Sequence, residues 1–273
     1  MVGRRRAPMR GGRVMKLGIE GKKALVCASS KGLGYACALA LSREGARVTI
    51  NGRDEATLGL ARDSIESETG HPVDMIVADV SSQEGRERIV ETSQDTDILV
   101  NNNGGPPPGS FENWSEEDWT GAVQANMIPA LMLIKNLLPG MRSRAFGRIV
   151  NITSAMVKSP RAPMALSAAA RTGLTAACKA IVPEIARDNV TINFMLPERF
   201  DTDRQVGMAK LLAKRRQISY ADARIEIANS IAARRFGRPD EFGATCAFLC
   251  SEHAGFISGQ NIQLDGGSYA GLF

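Results

Sequence analysis

The apolar run Lys22-Lys23-Ala24-Leu25-Val26-Cys27-Ala28 passes directly into Ser29-Ser30-Lys31-Gly32-Leu33-Gly34 and then into an apolar-periodic helix reaching about Glu44. A short strand that is apolar throughout, rather than at alternate positions, is one buried on both faces, as parallel strands are. The glycine turn at its end delivers a helix N-terminus to the strand's carboxyl tip. The alternation recurs: strands are expected at 47–51, 73–78, 97–101, 148–153 and 190–196, with a last one near 259–264, and helical patterns lie between them. The expected fold is α/β and doubly wound, a seven-stranded, mainly parallel sheet with helices on both faces.

At 273 residues the chain is long for one average domain but ordinary for a doubly wound sheet, so residues 16–273 are read as one domain. The net charge of +5 is local. Arg4, Arg5, Arg6, Arg10, Arg13 and Lys16 supply six of the 34 basic side chains ahead of the first acid, Glu20, and the 28 left face 29 acids. A basic segment of this kind is weak grounds for a nucleic-acid partner. Residues 1–15 mix Arg, Gly and Pro without periodicity and are expected to be a disordered basic tail, with Met15 as the natural start. No run of about eighteen apolar residues is present, so no membrane span is expected. The five cysteines form no C-x-x-C pair and read as small buried residues of a protein in a reducing cytoplasm. His71 and His253 lack partners at metal-ligand spacing, and no metal site is expected.

Chemistry concentrates between Arg148 and Arg171. The buried strand Arg148-Ile149-Val150-Asn151-Ile152-Thr153 delivers Ser154, and the helix after Pro163 carries Ser167 and Arg171 four residues apart, on one face and able to point at the strand's end. This layout resembles the short-chain dehydrogenase/reductase family, and the local text is similar to its 3-oxoacyl-carrier-protein-reductase branch; the resemblance runs from about residue 16 to 270. In that family a Tyr-x-x-x-Lys pair follows the serine. Here Ser167 stands in the tyrosine place and Arg171 in the lysine place.

The resemblance implies a Rossmann fold holding a nicotinamide dinucleotide. The family's T-G-x-x-x-G-x-G loop is matched by Cys27-Ala28-Ser29-Ser30-Lys31-Gly32-Leu33-Gly34, with Ala28 in place of the first glycine. Backbone N–H groups at a helix start suit a phosphate chain, although such a turn can also be a plain tight turn. The second strand ends in Asn51-Gly52-Arg53-Asp54. Gly52 stands where the family's NAD users carry Asp, and Lys31 and Arg53 offer cations to a 2′-phosphate, so NADP(H) is favoured over NAD(H), unless Arg53 is only a solvated loop residue. Asp79-Val80 resembles the adenine-contacting pair, and Asn101-Asn102-Asn103-Gly104 resembles N-N-A-G, which makes Asn102 and Gly104 cofactor neighbours.

Gly105-Pro106-Pro107-Pro108-Gly109 is either part of the substrate rim or a rigid connector. Asn126, poorly suited to a helix interior, matches the asparagine that opens the helix locally and holds a relay water in the family. Pro197-Glu198-Arg199-Phe200-Asp201-Thr202 resembles the P-G-x-x-x-T segment beside the nicotinamide, placing Pro197 and Thr202 on the cofactor. Glu198 replaces a glycine and requires a different backbone angle or a rearranged loop. Residues 203–235 match the family's mobile substrate lid, though a solvated helical pair has the same pattern. The resemblance also implies a homotetramer, or a homodimer, using the helix after Pro163.

Carbonyl reduction needs a hydride at carbon and a proton at oxygen. Ser167 and Arg171 polarise an oxygen but are poor acids. Lys158, four residues after Ser154, Glu198 and Tyr220 are the candidate stand-ins. The expected function is an NADP(H)-dependent oxidoreductase acting on a carbonyl or secondary alcohol, a 3-oxoacyl thioester or similar small ketone. Ser154, Ser167 and Arg171 would bind the oxygen, with Asn126 and Lys158 in the proton path. The alternative is an NADP(H)-binding protein without turnover, a redox sensor or oligomer partner, which the absent Tyr/Lys pair would suit.

Overall fold

The computed structural model describes residues 15–272, so the basic tail lies, Met15 apart, outside the described residues. The strands are β1 (Lys23–Val26), β2 (Arg47–Gly52), β3 (Val73–Val77), β4 (Ile98–Asn101), β5 (Gly147–Ile152), β6 (Val190–Pro197) and β7 (Asn261–Leu264). They form one sheet in the order β3-β2-β1-β4-β5-β6-β7. Every neighbouring pair is parallel, so the mainly parallel sheet expected from sequence is parallel throughout.

Helices α1 (Gly32–Arg43), α2 (Glu55–Thr69) and α3 (Gln83–Thr92) follow the first three strands. Then come α4 (Glu116–Asn126), α5 (Ile128–Ser143), α6 (Ala165–Ile185), the pair α7 (Asp203–Arg216) and α8 (Tyr220–Asn229), and α9 (Pro239–Cys250). The strands' apolar residues divide between two cores by the two-residue side-chain period. Val26, Ile50 and Val100 pack with Cys37, Leu58 and Phe242 under α1, α2 and α9. Leu25, Leu99 and Ile149 pack with Ile89, Leu137 and Leu174 under α3, α5 and α6. Leu166, Ala170, Leu174 and Cys178 of α6 are therefore buried within the chain itself, and all five cysteines are free and buried.

Two features position the site. The direction of winding reverses between β1 and β4, which opens a crevice at the carboxyl ends of those strands. The helical pattern from Ser115 to Met141 is interrupted at Met127 (φ −125°, ψ −58°), and Pro129, with no N–H to give, sits in the first turn of α5. Asn126 thus ends α4 at the crevice. Among the described residues no helix is long and apolar enough to cross a membrane.

Candidate active site

The start of α1 is built to receive an anion. Its N-cap, Lys31, makes no side-chain capping bond and its first turn holds no acid, whereas α2, α3, α4 and α8 are capped by Asp54, Ser82, Ser115 and Ser219. Its first N–H groups are therefore left for a ligand. Gly32 takes φ +63°, and a Cβ there would meet nothing nearer than Thr202 Cγ2 at 3.9 Å, so there is open room over the turn. At Gly34 a Cβ would lie 2.5 Å from the Ala28 carbonyl oxygen, so only glycine lets the helix approach this closely. The turn is held from below: the buried Ser29 hydroxyl donates to Val26 O (2.7 Å) and accepts from Asn51 N (3.0 Å), and Asn102 Nδ2 donates to Ala28 O (3.0 Å). Ser30, Lys31 and Leu33 lie along its upper side, none of them buried.

A Cβ at Gly52 would stand 3.2 Å from Leu58 Cδ1 and 3.6 Å from Ser30 Cβ, so that position looks onto the turn. Two exposed cations flank it. Arg53 Nη1 lies 3.8 Å from Asp79 Oδ2 and Lys31 Nζ 3.7 Å from Asp203 Oδ2. Asp79 also accepts from Ser81 N at 2.8 Å, and Val80 is buried beside it.

Ser167 and Arg171 share one face of α6 and are bonded to each other, and Arg171 reaches the end of β5, one residue short of Ser154. Arg171 points inward. Its Nη1 donates to Ile152 O (2.8 Å) and Thr153 O (3.1 Å), its Nη2 to Asn103 O (3.3 Å) and its Nε to Ser167 Oγ (3.2 Å). One guanidinium thereby ties together the ends of β4 and β5 and the first turn of α6. Burial, and then the nearby Arg204 guanidinium, pull Arg171 down to about 10, which leaves it charged at neutral pH. Ser154 begins a short 3₁₀ turn over residues 155–157 and its Oγ accepts from Met156 N at 3.2 Å. The proline loop arches over this cluster: Gly105 faces Arg171 and Ser167, and Gly109 N donates to Pro163 O at 3.0 Å.

Behind Arg171 lies a cavity lined by Cys27, Asn101, Asn103, Asn126 and Leu133, large enough for a water molecule. Both amide ends of Asn126 are buried there without a partner among the described residues, as is Asn101 Oδ1. Burial pushes the Cys27 thiol up to about 12, so it is an inert wall of this cavity.

The family profile described as Enoyl-(Acyl carrier protein) reductase matches residues 27–269. The chain is a short-chain dehydrogenase/reductase. It is 32% identical over 254 residues to the NADPH-dependent reductase BacG of Bacillus subtilis, covering 90% of this chain and 97% of that protein. It is 30% identical over 257 residues to the 3-oxoacyl-[acyl-carrier-protein] reductase FabG of Vibrio cholerae, covering 93% and 99% respectively. Among solved structures, the L-sorbose reductase of Gluconobacter frateurii, complexed with NADPH and L-sorbose, superposes with a TM-score of 0.90 at 29% identity, covering 94% of this chain and all of that one.

Within this short-chain dehydrogenase/reductase the three stand-in acids lie in different settings. Lys158 Nζ sits 5.5 Å over the Tyr269 ring, and Glu198 is ion-paired with Arg161 at 2.7 Å. Tyr220 opens α8 and is exposed, four residues before Arg224, which is bonded to Asp201. At the replaced glycine of the 197–202 segment the left-handed residue is Arg199 (φ +58°), one position after Glu198, so the loop is rearranged rather than Glu198 strained. Pro197 ends β6, Thr202 starts α7 above the glycine turn, and Gly104 lies open beside the cluster. Two residues were missed from sequence. Asn103 donates to Ser81 Oγ (2.9 Å) and Ala125 O (2.8 Å), bracing β4 against α4. Arg204 reaches from the first turn of α7 to Gly105; its sequence neighbourhood, one charge among many, gives no signal of that.

Proposed function

We propose that the protein is an NADP(H)-dependent oxidoreductase interconverting a carbonyl and a secondary alcohol, on a 3-oxoacyl thioester or a similar small ketone. The observation that carries this reading is Arg171, bonded to Ser167 and to the end of β5 that leads into Ser154, at the same end of the sheet as an uncapped, glycine-lined helix start. The turn from Ser29 to Gly34 fits a dinucleotide phosphate, because the start of α1 has no side-chain cap and a side chain is lacking at Gly32, where the phosphate would lie. Asp79, Val80, Asn102 and Gly104 would line the adenosine and ribose, and Pro197 and Thr202 the nicotinamide end. Lys31 and Arg53 suit a 2′-phosphate, and Gly52 places no carboxylate against it. Bound there, the nicotinamide supplies or accepts the hydride.

The side chains then do the rest. Each serine oxygen already accepts an N–H, Ser167 from Arg171 and Ser154 from Met156, so each hydroxyl proton is left to donate. Two such hydroxyls aimed at one oxygen form an oxyanion site, and Arg171 adds a fixed positive charge behind it. The proton reaches the oxygen through water held at Asn126, whose unpartnered amide faces the cavity behind Arg171. Lys158 stands on the substrate side as a second route. Helices α7 and α8 act as a lid on a one-domain protein of the cytoplasm, and the exposed Phe111 and Val123 beside α4 and α6 favour a homotetramer or homodimer.

Loss of NADPH absorbance with a panel of small ketones and 3-oxoacyl thioesters tests the reading. Ser154→Ala and Ser167→Ala are each expected to lower kcat by about 10²–10³-fold with NADPH binding retained. Wild-type rates in both variants, or NADPH binding with no turnover across the panel, would overturn it.

A further inference from the structure

We infer that Arg171 and Arg204 together seat a carboxylate of the substrate, so that the ketones taken by this site are short oxo acids. This rests on the oxidoreductase reading and narrows its substrate class. A Cβ placed on Gly105 would stand 3.4 Å from Arg171 Nη2, 3.5 Å from Arg204 Nη1 and 3.6 Å from Ser167 Oγ. Two cations and a hydroxyl, carried by α6 and α7, therefore face the same side of Gly105 under the proline loop. Among the described residues neither guanidinium has a carboxylate within ion-pair distance, and the Arg204 side chain makes no hydrogen bond.

Three other cations nearby are matched by acids. Arg161 pairs with Glu198 at 2.7 Å, Arg224 with Asp201 at 3.0 Å and Lys31 with Asp203 at 3.7 Å. Burial lowers the other large buried cation, Arg148, but the charges beside it, Cys250 and then Glu252, act to raise it, whereas burial of Arg171 is reinforced by the charge of Arg204. A second cation brought against a buried one is unfavourable until an anion arrives, and a carboxylate can give one oxygen to each guanidinium. Arg171 is held by four hydrogen bonds and Arg204 is exposed, so one donor is rigid and the other adjustable. Ser167 sets the spacing. With a carboxylate on the arginines, the substrate's carbonyl reaches the serine hydroxyls only if the two groups are bonded directly or through one carbon, as in 2-oxo and 3-oxo acids or the matching hydroxy acids. The cofactor's phosphates belong elsewhere, because Thr202 lies over Gly32 while Arg204 leans away to Gly105.

The test is calorimetric titration of the full chain, loaded with NADP⁺, with pyruvate and acetoacetate and with their neutral methyl esters. At least one acid is expected to bind ten-fold or more tighter than its ester. Arg204→Gln is expected to abolish that preference, Arg204→Lys to restore part of it, and both to keep the NADP⁺ Kd within about two-fold. Equal or absent binding of acid and ester, or a preference that survives Arg204→Gln, overturns the inference. A ten-fold loss of NADP⁺ affinity in Arg204→Gln also overturns it, by assigning the pair to a cofactor phosphate. Failure of the oxidoreductase reading shows separately, as a wild-type protein that does not bind NADP⁺ at the outset.

Discussion

Ala28 holds φ +45°, a left-handed conformation that a Cβ makes unfavourable by about 1–2 kcal/mol. The strain persists because its surroundings leave no alternative: Ala28 O accepts from Asn102 and Ala28 N faces Asn51 Oδ1 at 3.4 Å. Ala28→Gly removes the strain and adds chain entropy to the unfolded state, an offset of roughly 0.5–1 kcal/mol. The net expectation is a gain of about 0.5–1 kcal/mol, a rise in Tm of roughly 2–3 °C, with NADPH affinity unchanged or slightly improved. Thermal unfolding of the purified variant checks this, and a fall in Tm would mean that the alanine methyl makes a contact worth more than the strain. At the same scale, Gly52→Asp sets a carboxylate beside Ser30 and between the cations at 31 and 53. NADPH affinity is expected to fall at least ten-fold, about 1.4 kcal/mol, while NADH is kept. Parallel titrations with the two cofactors decide it, and an unchanged ratio would remove position 52 from cofactor choice.

Between elements, the break separating α4 from α5 brings Asn126 to the cavity with both amide ends unpartnered. A buried polar group left unmatched costs about 1–3 kcal/mol, so Asn126→Leu is expected to hold or raise Tm while kcat falls and the solvent isotope effect grows. Lower stability together with unchanged kcat would make the asparagine structural. The sheet and its helices were legible in the chain because strands buried on both faces are apolar at every position, and because Gly32 and Gly34 mark where a helix begins. The shared face of Ser167 and Arg171 was legible too, since helix periodicity alone puts them there. Arg204 was not. Nearly a hundred residues separate it from Gly105 in sequence, its neighbours are equally charged, and only the fold of the 197–202 loop, turned at Arg199, brings it over the cluster. The all-parallel register was likewise a property of pairing between distant strands rather than of any one strand.

For the molecule as a whole, every carboxylate with a resolved shift among the described residues titrates below its ordinary range. Asp54 is lowered chiefly by the Thr57 N–H, Asp95 by Lys23, Glu117 by Ser115, and Glu241 to about 2 by Arg235 first and then the Arg238 N–H. A carboxylate whose folded pKa is depressed contributes stability above its unfolded value, about 4.5 for Glu241, and loses it as pH falls through the folded value. Tm is therefore expected to stay level from neutrality down to about pH 5 and to decline below it. Glu241 isolates the effect. Arg235 grips it through two bonds of 2.8 Å where the chain leaves the α7–α8 pair and starts α9, and Arg235 is exposed and Glu241 partly so, so the contribution is small. Arg235→Gln is expected to lower Tm by about 1–2 °C at pH 7, and the difference from wild type should shrink below pH 4.5 and vanish near pH 2. Differential scanning fluorimetry across that range measures it. A difference independent of pH would place the role of Arg235 in packing rather than charge, and would leave the acid limb to the other three carboxylates.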